Sequence, residues 1–360
     1  MLIAILNDTH WGARSESADI LSHQLTFYRD LFFPYLQTHN IKTVCHLGDL
    51  VDRRKFIQYS ILNSMRTHFI KPLIDLNIDT HILVGNHDAP FRNSNEVNAV
   101  EELFASVRTA TWSPHIYANP ETVDFDGCSI LMMPWINMTN EDDTAKAIQT
   151  TTAKIVFGHL EIKGFEMYKG LPSYDGISPG LFEKFEMVCS GHFHCKSTLG
   201  NINYLGAPME MTWADYDDPR GFHIFDTDTK TLTYIQNPNR LFYKIFYSDR
   251  DKSTEEILNV EWLSYASKYV KVIVLQKDHP LTFDTFMDRL NEVSPADISI
   301  VEDHHNAQLL NEHNLVDQAE DTLTIISHFI ENLEGTVDKA ALNTLLRDLY
   351  TESLAMDTHD

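Results

Sequence analysis

Five times within the first two hundred residues, a short apolar run ends in a polar loop bearing His or Asp. Residues 2–6 lead into Asn7-Asp8-Thr9-His10, residues 43–47 into Gly48-Asp49, and residues 81–84 into Gly85-Asn86-His87-Asp88. Residues 154–157 then lead into Gly158-His159, and residues 187–190 into Gly191-His192-Phe193-His194. Runs this short, bounded by turn residues, predict strands. Between the early runs, residues 18–38, 56–76 and 94–107 carry a helical pattern. Alternating strands and helices predict an α/β sheet, whose ligands gather beyond the carboxyl ends of its strands. All five loops lie at such ends.

The texture changes after Gly200. Residues 202–205, 221–226 and 231–236 read as strands of a second sheet, and Asn237-Pro238-Asn239 marks a break. Residues 242–247, 254–266, 269–275, 282–293 and 297–301 then alternate strand, helix, strand, helix, strand. Two apolar helical faces follow, one of Leu323, Ile326, Phe329, Ile330 and Leu333, the other of Leu342, Leu345, Leu346, Leu349 and Leu354, divided at Glu334-Gly335. The predicted division is a main domain over 1–238, a small α+β capping domain over 239–303, and an acidic helical segment over 304–360.

Charge complicates the picture more than composition does. Lys and Arg number 28 against 52 Asp and Glu, a net charge of −24. From Val301 to Asp360 the chain holds 13 acidic and 2 basic residues, so this segment alone carries −11. A nucleic-acid backbone repels such a chain on average, so any contact with DNA must come from bound metal ions, local Arg or Lys clusters, or a partner. The four cysteines form no CxxC pair and sit mostly in apolar runs, as reduced buried thiols do. The opening residues lack the basic lead of a signal peptide and read as a first strand. No run reaches the roughly 18 apolar residues of a membrane helix. The expectation is a soluble cytoplasmic protein, in the host cytoplasm if phage-encoded.

A lone Asp or His at a strand end means little, because both residues cap helices and close turns. Five such loops in succession bring carboxylate, amide oxygen and imidazole to one rim. That donor set suits Mn²⁺, Fe²⁺ or Zn²⁺, and the lack of Cys argues against a closed structural zinc site.

The sequences DTH, GDLVD, GNHD, GH and GHFH resemble the five motifs of the calcineurin-like metallophosphoesterase superfamily. The resemblance implies a β-sandwich flanked by helices. It implies two divalent metal ions, Mn²⁺ foremost and Mg²⁺ as the second candidate. Asp8, His10 and His194 would hold the first, Asn86, His159 and His192 the second, and Asp49 would bridge them. Two metals roughly 3.5–4 Å apart neutralise charge building at a phosphorus centre. By the same resemblance His87 is no ligand but serves the leaving oxygen. Asp52 stands three residues after Asp49 and is expected to hydrogen-bond His87 and raise its pKa. A plain helix N-terminal charge is the alternative for Asp52. Arg53 and Arg54 are candidates for gripping phosphate or simple solvated arginines. The remaining 13 of the 18 histidines read as having no metal role.

GDLVDRR is similar to a motif of Ser/Thr phosphoprotein phosphatases, but NDTH, GNHD and the adjacent GHFH depart from them. GHFH, the following Tyr204-Leu205-Gly206-Ala207-Pro208 and Trp213 resemble the SbcD-type nuclease subunit, and the short tail is similar to its tailed-phage versions. This implies a metal-dependent DNA nuclease, exonucleolytic on ends and endonucleolytic on single strands or hairpins. The implied setting is DNA repair, recombination and replication, beside an SbcC-type coiled-coil ABC ATPase. The C-terminal amphipathic helices would dock that ATPase or fold back on the chain. A homodimer is implied through helices near residues 57–76 and 94–104. The alternatives are a generic phosphodiesterase or a phosphoprotein phosphatase of the same superfamily.

Overall fold

The computed structural model describes residues 1–168, 171–173, 175–302, 330, 339, 341–342 and 344–346. The two apolar faces expected in the C-terminal segment therefore lie outside the described residues, except for a few positions.

The strands are β1 (Leu2–Leu6), β2 (Thr43–His46), β3 (Asp79–Leu83), β4 (His115–Tyr117), β5 (Glu121–Phe125), β6 (Cys128–Met133), β7 (Ile155–His159), β8 (Glu166–Tyr168) and β9 (Leu171–Pro172). They continue with β10 (Met187–Gly191), β11 (Ser197–Leu199), β12 (Ile202–Tyr204), β13 (Gly221–Asp226), β14 (Thr231–Gln236), β15 (Phe242–Ser248), β16 (Tyr269–Gln276) and β17 (Asp297–Glu302). One six-stranded sheet runs β14-β13-β1-β2-β3-β4 and a second β11-β12-β10-β7-β6-β5. In each, the strands that precede the polar loops pair in parallel, β1-β2-β3 in the first and β7-β10 in the second.

Side chains alternate across a strand, so one run can serve two cores. Ile3 and Ile5 of β1 face the gap between the sheets, where they meet Ile130, Phe157 and Phe225, while Ala4 and Leu6 face the helices with Phe27, Phe32 and Phe69. The second sheet repeats the division: Phe157 points into the gap, and Val156 and Val188 point outward with Phe182. Helix, sheet, sheet and flanking elements thus stack in layers, each large buried side chain contributing about 1.5–3 kcal/mol. The sandwich closes with the parallel strand tips of both sheets at one rim.

Both long helical stretches pass through a π turn next to a proline. Ala18–Phe27 continues through the π turn Tyr28–Phe32 into Phe33–Thr38, which holds Pro34. Tyr59–Met65 continues through Arg66–Ile70 into Lys71–Asp75, which holds Pro72. Proline offers no N–H and crowds the carbonyl four residues back, and the wider π register lets the helix continue. Two helices start later than the pattern predicts, at Tyr59 and Ala99. Residues 94–98 form a loop instead, because Asn95 donates to the carbonyls of Ala118 (3.2 Å) and Trp135 (2.8 Å), and Asn98 caps Glu101 N at 2.8 Å.

The chain divides into two compact units: Met1–Tyr243 with Leu263–Val270 and Val293–Asp297, and Lys244–Trp262 with Lys271–Glu292 and Ile298–Asp360. Strands β15, β16 and β17 form a three-stranded sheet. In the second unit, Ser253 and Glu256 form a capping box on the helix Thr254–Leu258, and Tyr247 packs against Phe283 and Phe286 of the helix Pro280–Glu292. The helix expected over 254–266 ends at Leu258 and resumes as a 3₁₀ turn at Trp262–Tyr265. Among the described residues no helix is long and apolar enough to cross a membrane.

Candidate metal centre

The loops that follow β1, β2, β3, β7 and β10 meet at the rim. Strands β1, β2 and β10 each end in a sharp change of direction. Asp8 (φ 48°), His10 (φ 42°), Asp49 (φ 54°) and His192 (φ 86°) all take the left-handed backbone that side chains disfavour, at a cost of about 1–3 kcal/mol each. Backbone bonds hold the loops: Asp8 N donates to Gly48 O (3.0 Å), and Thr9 N and His10 N both donate to Asp49 O (3.0 and 3.1 Å). Gly48 permits the crossing, since a Cβ there would stand 2.5 Å from His159 Nδ1; a Cβ on Gly85 would collide with Asp49.

Three overlapping donor groups result. The ligand atoms of Asp8, His10 and His194 lie within 4.8 Å of one another, as do those of His10, Asp49 and His87, and those of Asp49, His159 and His192. Asp49 belongs to two of the groups. Its Oδ1 lies 3.3 Å from His159 Nε2 and its Oδ2 3.7 Å from His10 Nε2, while Oδ1 also accepts from His87 N at 2.8 Å. Asn86 Oδ1 lies 2.9 Å from His159 Nε2 and 3.0 Å from His192 Nδ1. His10 Nε2 and His194 Nε2 face each other at 3.0 Å. The seven residues expected as ligands thus converge in one cluster.

This donor set fits cations. Paired imidazole nitrogens directed at one point, with carboxylate and amide oxygens beside them, outnumber the protons available to join them. His159 Nδ1 donates to Leu47 O at 2.7 Å, which leaves Nε2 as the nitrogen facing the cluster. His10 Nδ1 faces the Asp52 carboxylate at 3.5 Å, which leaves Nε2 as the nitrogen toward His194 and Asp49.

Burial and charge divide the titrating groups. Burial lowers His10 and His159, but neighbouring carboxylates outweigh it and hold both up at about 9: Asp52, Asp49 and Asp8 for His10, Asp49 and Asp8 for His159. Burial and the charge of His159 push His192 down to about 3, and burial with His10 pushes His194 well below the usual range. Asp49 is buried, which favours its neutral form, yet His159 and His87 hold it well below the usual carboxylate range.

Asp52 meets His87 differently from the expectation. The partner of His87 Nδ1 is the Asp52 backbone carbonyl, at 2.6 Å; the Asp52 carboxylate instead lies 3.5 Å from His10 Nδ1. Nor is His87 raised: desolvation lowers it, and the charge of Asp49 offsets only part of this. The two arginines also separate. Arg53 is engaged by Glu16 at 3.2 Å and lies over the Phe56 ring. Arg54 makes no ion pair among the described residues, and Arg92 and Asp49 are close enough to perturb it.

Two residues of the site carry no clear sequence signal. Asp88 accepts from Leu50 N (2.9 Å) and Val51 N (3.1 Å) with one oxygen and from Gly85 N (2.9 Å) with the other, locking the β2 loop to the β3 loop. Burial raises it to about 6. Its place at the end of GNHD is the only hint. Buried Arg220 donates to the His194 carbonyl and is held by Asp215 and Asp218, both at 2.9 Å. Trp135 stands beside the centre, its ring 5.0 Å from that of His192.

The chain is similar to known proteins over most of its length. The model of the calcineurin-like phosphoesterase family matches residues 1–196. Exonuclease subunit 1 of Enterobacteria phage T4 is 31% identical over 358 residues, 98% of this chain and 99% of that protein. The SbcD component of nuclease SbcCD from Staphylococcus saprophyticus is 21% identical over 363 residues, 91% of this chain and 92% of that protein.

Proposed function

The chain belongs to the calcineurin-like phosphoesterase family, whose members use divalent metal ions, and from that premise we propose that it is a metal-dependent DNA nuclease, the SbcD-type subunit of a two-protein complex. The observation that carries this reading is Asp49, one of whose oxygens lies near His10 and the other near His159 within a cluster of seven donors.

Asp8, His10 and His194 would hold one ion, Asn86, His159 and His192 the other, and Asp49 both. Such a pair would supply charge neutralisation at a phosphodiester; the mixed nitrogen and oxygen donors suit Mn²⁺, Fe²⁺ or Zn²⁺, and the family resemblance puts Mn²⁺ foremost. Asp88 and Arg220 keep the donor loops in register. His87 stands at the partly exposed side of the cluster, its Nδ1–H tied to the Asp52 carbonyl, so Nε2 is the nitrogen that could take up a proton and pass it to a leaving oxygen. Desolvation lowers its pKa, so Nε2 is unprotonated at rest and a proton gained there would be readily passed on. Arg54, half-buried and lacking a carboxylate partner among the described residues, would grip a phosphate of the bound strand.

The acidic surface is met by a local exception. Past its ligands, the β2 loop runs Arg53-Arg54-Lys55-Phe56, and the β3 loop runs Phe91-Arg92. Phe56 and Phe91 are 54% and 60% exposed. Guanidinium groups interleaved with exposed rings suit the backbone and bases of an unpaired strand. In this reading residues 239–303 cap the nuclease domain, 304–360 dock the coiled coil of an SbcC-type ABC ATPase, and a second copy joins through the helices near residues 57–76 and 94–104.

The test is a nuclease assay with Mn²⁺ or Mg²⁺ on blunt, overhanging and hairpin DNA, alongside bis(p-nitrophenyl) phosphate and p-nitrophenyl phosphate. The expected result is Mn²⁺-supported DNA cleavage well above turnover of either small ester. Equal turnover of DNA and the diester would favour a generic phosphodiesterase, and preference for the monoester a phosphatase.

A further inference from the structure

The same first sheet carries a second convergence of nitrogen and oxygen donors, at its opposite rim. Asp79 and His81 lie two residues apart on β3, so their side chains leave the same face. β4 pairs with β3 in parallel, with His115 directly opposite His81. The register therefore brings three donors together that are far apart in sequence. The imidazole rings of His81 and His115 stack with centroids 4.6 Å apart and planes at 14°. The Asp79 carboxylate spans both, Oδ2 at 3.2 Å from His81 Nε2 and Oδ1 at 3.6 Å from His115 Nε2.

We propose that Asp79, His81 and His115 form a separate transition-metal site, of the Zn²⁺ class, that ties the edge strand β4 to β3. The ligand atoms of the three residues lie within 4.8 Å of one another, a span that bound Zn²⁺ would draw in to the roughly 3.3–3.5 Å set by tetrahedral bonds of about 2.0–2.2 Å to N and O donors. Two imidazoles and one carboxylate exclude Mg²⁺ and Ca²⁺ as preferred occupants, and three protein donors leave the fourth position for water. The orientation is prepared from behind. Tyr117 Oη lies 2.7 Å from His81 Nδ1, and the Phe125 ring meets His81 edge-on at 4.7 Å. A phenol can donate or accept, so when His81 gives its Nε2 lone pair to a metal, Nδ1–H donates to Tyr117. The hydrogen bond from His81 holds the Asp79 carboxyl below its usual range, so it is ionised and ready at neutral pH.

Access comes from the solvent side. The side chains of His115 and Asp79 are 60% and 52% exposed while that of His81 is 5% exposed, giving one anchored ligand and two reachable ones. β4 is the outermost strand of its sheet and only three residues long. A metal bridging β3 and β4 would fasten this edge where few ladder bonds can.

The test uses the full chain, its His115→Ala variant and its Asp79→Asn variant, each stripped with chelator and dialysed against micromolar Zn²⁺. Both substitutions fall on exposed side chains, and circular dichroism checks the fold. Elemental analysis is expected to find one fewer Zn²⁺ per chain in each variant than in the parent, whatever number the central cluster retains. The parent is also expected to show a Zn²⁺-dependent rise in melting temperature that both variants lose in part, with cleavage in Mn²⁺ unchanged. Equal Zn²⁺ counts in parent and variants would overturn the site.

Discussion

The floor of the central cluster, from the loops after β1, β2 and β7, and its rim, from those after β3 and β10, are governed by opposite electrostatics. Asp8, His10, Asp49 and His159 form the floor and are almost fully buried. There the carboxylates overrule desolvation, and both histidines are held at about 9. Asn86, His87, His192 and His194 form the partly exposed rim, and its three histidines are all pulled below their usual range. The difference teaches a division of labour. The floor is built to hold positive charge, as protons or as metal, and the rim is built to present uncharged imidazoles to whatever enters.

The contrast breaks most completely at Asp49. Asp49→Ala should abolish paired metal binding, seen as loss of at least one Mn²⁺ per chain by calorimetry, with cleavage falling to background. A rim residue should behave differently. His87→Ala is expected to keep both ions but lose about 10²–10⁴-fold in cleavage rate; full activity in this variant would remove His87 from the chemistry. Further out, Arg54→Ala should raise KM for DNA by roughly 10-fold, a loss on the order of one charge-assisted hydrogen bond, while Arg53→Ala should do less because Glu16 already occupies that side chain.

The smallest effect is a matter of pH and sharpens the floor itself. His10 and His159 have folded pKa values of about 9, above the roughly 6.5 of an unfolded chain. In the metal-free protein their stabilisation is complete below pH 6.5 and is lost as pH rises through about 9. Metal must displace those protons, so Mn²⁺ affinity should climb over the same window and flatten above it. Thermal melts of chelated protein and Mn²⁺ titrations between pH 6.5 and 9.5 read the two trends, which should run in opposite directions.

Much of this was legible in the chain because the seven donors sit immediately after runs whose length and composition already say strand. Period-two alternation also sorts Ile3 and Ile5 from Ala4 and Leu6. What escaped depends on contacts that spacing does not encode. Asp52 meets His87 through its backbone, so its side-chain chemistry was a misleading guide. Arg53 and Arg54 look alike in sequence and differ only because Glu16 lies beside one of them. Residues 94–98 continue a helical pattern, yet the amides of Asn95 and Asn98 bind backbone groups and delay the helix. His81 and His115 looked ordinary singly, since only the β3–β4 register makes them neighbours.

The donor set is divided between the two sheets: Asp8, His10, Asp49 and Asn86 follow strands of the first, His159, His192 and His194 those of the second. Their spacing is therefore gauged by the oily filling between the sheets, where Ile5 and Phe157 pack and the rings of Phe157 and Phe225 meet at 5.4 Å. That filling works like the spacer of a caliper. A working centre tolerates misplacement of only about half an ångström, so a side chain that never meets substrate helps set how fast the jaws can work.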